Sequence, residues 1–134
     1  MQAKYRAATA HKLLADGIVV LHALNVAYVL LGPIWAWRVS WFRFVHLISL
    51  WWTFFVFAGG FYCPMTNFEN SLRYHYNPAA TYSTGFIIRY IGPMLWWDLT
   101  KPQVVGAMTA WTAFWTLAYA WLWARKKPAP RAGG

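Results

Sequence analysis

The sequence predicts an all-α membrane protein: a four-helix transmembrane bundle with a short or kinked third helix and both termini cytoplasmic. Three observations lead there. Residues 17–37, 44–68 and 102–124 contain no Asp, Glu, Lys or Arg, and each run exceeds the roughly 20 residues that a helix needs to cross about 30 Å of hydrocarbon. The chain is 60% hydrophobic and only 11% charged, less than half the usual charged share of a soluble domain. Eleven Trp, eight Tyr and nine Phe exceed what a small core packs; they suit headgroup-level belts and contact with lipid, pigment or partner helices.

Taken in order, residues 1–12 read as a basic surface segment, 13–124 as the transmembrane domain and 125–134 as a disordered basic tail. The first span runs from Leu13 to about Leu31 and is closed by Gly32 and Pro33, with Trp35 and Trp37 at interface level. Its apolar run is too long for a signal-peptide core and no A-x-A site follows, so it reads as retained. Ser40 is a candidate N-cap for a second helix over about 41–62. Cys63 and Pro64 end that helix, because the residue before a proline is pushed out of the helical region. A polar loop over 64–83 follows. Residues 84–97 contain Arg89 and the pair Gly92-Pro93, and form either a short, kinked third span or a re-entrant half-helix. The last span covers about 103–123, with small residues such as Gly106, Ala110 and Ala113 that admit close helix approach.

The net charge of +9 is confined mostly to the ends, with Lys4, Arg6 and Lys12 before the first span and Arg125, Lys126, Lys127 and Arg131 after the last. That distribution is a positive-inside signal and attracts anionic lipid headgroups; four crossings with both ends inside satisfy it best. No basic segment is interleaved with exposed aromatics, which argues against nucleic-acid binding. A single cysteine excludes an internal disulfide.

The polar residues that remain define the candidate sites. Asp16, Glu69 and Asp98 are the only acids. Asp16, Glu69, Arg73 and Arg89 fall at similar depth, so a polar cluster of Asp16, Cys63, Thr66, Glu69, Asn70, Arg73 and Arg89 is expected at the helix ends, with Glu69 and Arg73 in the order that favours an ion pair on a helix turn. Its plain reading is a structural clamp; its sharper one is a headgroup, proton or substrate site. His22 and His46 lie on the first two helices. If those are antiparallel neighbours, the imidazoles come within roughly 3 to 8 Å in depth, the arrangement that holds haem or bacteriochlorophyll in a bundle. The alternative is that each imidazole bonds a carbonyl or hydroxyl inside the bundle. His11 and His75 read as surface residues. A Cys63 nucleophile with His75 as base and Glu69 as orienter is disfavoured, because the expected helix C-terminus opposes a thiolate. No second cysteine accompanies Cys63 as a metal ligand.

Leu14-Ala15-Asp16, Leu21-His22, Arg43, His46, the block Cys63-Pro64-Met65-Thr66-x-x-Glu69-Asn70-x-Leu72-Arg73, and Tyr82-x-x-Gly85-Phe86-Ile87-x-x-Tyr90 resemble a bacterial family of small multi-pass membrane proteins, a domain of unknown function whose hallmark is C-P-L-T-x-x-E-N. The resemblance covers about residues 12–123 and implies a four-helix inner-membrane protein, with no activity, substrate or cofactor. Met65 replaces the usual Leu. Arg89 stands where the family more often has His, so a three-histidine cofactor site would lack one member.

Three functions follow as expectations. The first is a non-catalytic accessory subunit of a larger energy-transducing membrane complex (respiratory, photosynthetic or oxygenase-like), packed against other integral subunits. The second is a haem- or pigment-binding electron-transfer protein on His22 and His46. The third is a lipid- or quinone-processing enzyme using Cys63, Glu69 and Arg73.

Overall fold

The structure is a computed structural model and describes residues 2–125. Among these residues all regular structure is helical: α1 (Gln2–Ala36), α2 (Ser40–Ala58), α3 (Pro64–Tyr76), a 3-10 turn (Pro78–Ala80), a π turn (Ile87–Ile91) leading into the short α4 (Gly92–Met94), and α5 (Lys101–Ala124). The expected basic tail lies outside the described residues beyond Arg125.

The first helix is the spine. It begins at Gln2 and runs unbroken through the expected surface segment for 35 residues, about 52 Å at the α-helical rise. Ala15, His22, Val29 and Ala36 are all buried. Their seven-residue spacing keeps them on one face, as in left-handed helix packing. The lower half of that face receives α3 and the upper half α2. The opposite side carries Leu13, Leu21, Leu24, Leu31 and Ile34, all exposed.

Pro33 lies within this helix rather than after it. It has no N–H to give the carbonyl of Val29 four residues back. That carbonyl instead accepts His46 Nε2 at 3.1 Å and Trp111 Nε1 at 3.2 Å. The proline that would have ended α1 thereby opens a docking point for α2 and α5. The helix ends one turn later, where Arg43 reaches back from α2. Its Nε donates to the Ala36 carbonyl at 2.6 Å and its Nη2 to the Trp37 carbonyl at 2.8 Å, placing a cation where the helix dipole is negative. Arg43→Ala leaves these carbonyls unmet and is expected to cost about 2–3 kcal/mol. The detergent-solubilised variant should unfold at a lower temperature, and Arg43→Lys should recover part of the loss.

The second helix has Val39, not Ser40, as its N-cap. It stops at Gly59-Gly60, where Gly60 adopts φ +69, short of Cys63. Pro64 then starts a helix instead of ending one. Cys63 has the extended ψ of 131 and Pro64 occupies the first turn of α3, where a missing N–H costs nothing. The expected 64–83 loop is therefore mostly helical, over Pro64–Tyr76 and Pro78–Ala80. The 84–97 segment contains only about nine helical residues, from Phe86 to Met94, roughly 13 Å at the α-helical rise, too short to cross a bilayer alone. Finally, α5 opens with Pro102 in its first turn and with Gln103 Oε1 accepting the Thr100 backbone N–H at 2.9 Å.

Helix directions correct the expected topology. Trp111 meets Val29, Tyr119 meets His46, and a side chain placed on Gly60 would approach Lys101. Thus α5 is antiparallel to α2 and parallel to α1, so Ala124 lies at the opposite end of the stack from Gln2. Three long helices, not four, run its length. By length and composition two of them are apolar enough to cross a membrane, over Tyr5–Ala36 and Ser40–Ala58, and only 22% and 17% of their most apolar windows are buried in the protein. The 24 residues of α5 match a bilayer in length, but its Trp, Tyr and Thr lower its hydropathy.

Candidate functional site

The C-P-x-T-x-x-E-N block is the polar face of α3. Thr66, Glu69, Asn70 and Arg73 recur at the three- and four-residue spacing that stacks side chains on one side of a helix. Glu69 is 0% exposed and collects three donors. Arg73 Nε and the Tyr90 hydroxyl reach Oε1, and the Tyr82 hydroxyl reaches Oε2, each at 2.8 Å. Arg73 in turn donates to Tyr90 Oη at 2.8 Å and Tyr76 Oη at 3.0 Å. Asn70 locks the returning chain as a strand partner would: Nδ2 donates to the Tyr82 carbonyl at 2.6 Å and Oδ1 accepts its N–H at 3.1 Å. Gly85, at φ +87, lets the chain reverse so that Tyr82 and Tyr90 both face Glu69; a residue with a Cβ strains there.

This network neutralises the buried carboxylate. Burial opposes the charge on Arg73, but its hydrogen bond to Glu69 and the neighbouring phenols outweigh that and raise its pKa. Burial first, then the bond to the Glu69 carboxylate, pushes the Tyr82 phenol well above its ordinary value, so it stays a donor at neutral pH.

The expected cluster is assembled in part. Glu69, Arg73 and Asn70 meet as anticipated, and Thr66 is buried beside them. Arg89 joins indirectly, its guanidinium 5.7 Å from the centre of the Tyr82 ring. Asp16 does not join; it is exposed and forms no hydrogen bond or ion pair among the described residues. Cys63 sits at the N-terminal end of α3 rather than a C-terminal one. Its supposed base, His75, stacks on His11 at 5.0 Å near the far end of α3, about 18 Å along the helix axis. That constellation does not form.

The two histidines part company as well. His46 is fully buried, with Nε2 donating to the Val29 carbonyl and Nδ1 hydrogen-bonded to the Tyr119 hydroxyl at 2.9 Å. A carbonyl only accepts, so Nε2 carries a hydrogen, and with Nδ1 engaged by Tyr119 no ring nitrogen is left for an axial bond. His46 lies level with Val29 and Gly32, seven to ten residues from His22, or about 10–15 Å in depth, not the few ångströms the sequence suggested. His22 is stacked on Phe86, ring centres 4.1 Å apart, and is 5% exposed with Nδ1 unpartnered. It borders a cavity of about 310 Å³ between α1, α2, α5 and the start of α3, which Val26, Val29, Val56, Phe57, Cys63 and Met108 also line. A smaller recess of about 50 Å³ continues past His22 towards Thr66.

Tyr82, Tyr90 and Tyr119 escaped the sequence reading as site residues. The first two could have been found from the scarcity of acids: a buried carboxylate with one arginine needs further donors, and the motif's tyrosines supply them.

Residues 12–125 match the sequence model of a family described as Protein of Unknown function (DUF2784). The chain belongs to this family. The matched span takes in every residue of the Glu69 network and the cavity. No curated protein and no solved structure matches the chain.

Proposed function

We propose that this family member is a non-catalytic accessory subunit that spans the bacterial inner membrane three times and packs against the helices of a larger energy-transducing assembly. The supporting observation is the placement of exposed aromatic and apolar side chains. Trp35, Trp37, Trp41, Trp121 and Trp123 are exposed at one end of the long helices, and Phe61, Tyr62, Trp96 and Trp97 at the other. From Lys101 to Trp121 along α5 is about 30 Å, and from Asp16 to Trp35 along α1 about 29 Å, the thickness of a hydrocarbon core between two aromatic belts. Between them Leu24, Leu31, Phe44, Ile48, Phe55, Phe114 and Leu117 face outward, the surface of a protein solvated by acyl chains or by partner helices.

In this reading the N-terminal end is cytoplasmic, carrying Arg6, Lys12, Arg89 and Lys101 against anionic headgroups. Arg125, 3.6 Å above the Trp121 ring, marks the opposite rim. In this reading the Glu69 network is a clamp at interface depth, with both carboxylate oxygens accepting from protein donors. Gentle-detergent extraction followed by native mass spectrometry should recover the chain with other integral subunits. Recovery only as a free monomer contradicts the subunit role.

A further inference from the structure

We propose that the cavity beside His22 is a binding site for a neutral quinone-type molecule, one ring carbonyl hydrogen-bonded by the imidazole and the apolar tail leaving between α1 and α2. Four features of the site converge on that chemistry. His22 is a polar ring almost wholly buried, and it makes no hydrogen bond among the described residues. Such a group is costly to bury unless something meets it. No charged residue lines the main cavity, so no cation is there to balance an anionic head, and a neutral acceptor is favoured.

Size and shape narrow the class. A cavity of about 310 Å³ is at the small end of ligand sites and holds one ring rather than a macrocycle. Trp52 and Phe57 offer flat faces to such a ring. The mouth is formed by Asn25 and Leu30 of α1 with Trp52 of α2, all exposed, between the two aromatic belts. A molecule dissolved in the bilayer would reach it sideways, and Asn25 places an amide on an otherwise apolar face where a second carbonyl would pass.

The inference rests on the membrane reading above only for this route of entry. Binding to the cavity is measured in detergent, so its failure and the failure of the subunit role are separate results. The purified full-length chain is titrated with a benzoquinone carrying a decyl chain, and tryptophan fluorescence quenching is followed. Saturable, one-to-one quenching is expected. His22→Leu should weaken it about tenfold, the loss of one buried hydrogen bond, and Val56→Trp, which fills the cavity while keeping the imidazole, should abolish it. Decanoate should not compete. Equal, unsaturated quenching in all three proteins would mean partition into the micelle and overturn the site. Competition by decanoate at the same concentration would assign a fatty-acid site instead and overturn the neutral head.

Discussion

Glu69→Ala is expected to destabilise the protein by about 3–5 kcal/mol, enough to stop its accumulation in cells. The figure is that for removing one partner of a buried ion pair. It applies because the side chain is fully buried and answers Arg73, Tyr82 and Tyr90 together. Without the carboxylate, a guanidinium whose side chain is only 14% exposed and two phenol donors lose their acceptor. The damage should spread, since these donors hold α3 to the returning chain at Tyr82 and to the π turn at Tyr90. Glu69→Gln keeps the shape but turns one acceptor into a donor, and should fall between Ala and wild type. Replacing both charges, as in Glu69→Gln with Arg73→Met, should be less harmful than Glu69→Ala alone, because no unpaired charge remains. Denaturant midpoints of the four proteins in detergent read these differences. Wild-type stability in Glu69→Ala would remove the clamp.

Gly32→Ala should be the most damaging single methyl in the protein. An added Cβ would meet His46 Nε2 at 2.6 Å and sit closer still to its Cδ2. The ring cannot retreat, held by the Val29 carbonyl on one side and Tyr119 on the other. Overpacking costs about 1–3 kcal/mol and each displaced hydrogen bond about 1 kcal/mol more, so a total of about 3–5 kcal/mol is expected at the α1–α2–α5 junction. In a His46→Ala background the same substitution meets no ring, and the better helix propensity of alanine, worth about 1 kcal/mol over glycine, should make it stabilising. Thermal unfolding of the four proteins of this cycle tests the sign reversal.

The helical class, the long apolar runs and the Glu69–Arg73 pair were legible in the sequence because each depends on local pattern: hydropathy over 20 residues, or a spacing of four. Proline was misleading in both places where it mattered. Pro33 and Pro64 were read as stops, yet one sits inside α1 with its orphaned carbonyl satisfied from other helices, and the other begins α3. The same dipeptide geometry ends one helix and starts another, so local preference cannot choose between them. The roles of Arg43, Tyr119 and Trp111 depend on contacts across 7 to 82 residues and leave no periodic trace. Helix direction was missed for a related reason. Charge counting favoured a crossing at 84–97, but the nine helical residues there are too few to span a bilayer alone, and the last helix runs parallel to the first.

The arrangement of three crossings is tested most directly by tagging the chain at both termini and treating sealed inverted membrane vesicles with protease. One tag should be cleaved and the other protected until detergent is added. Cleavage of both tags, protection of both, or a chain that stays in the aqueous fraction without detergent would contradict that arrangement.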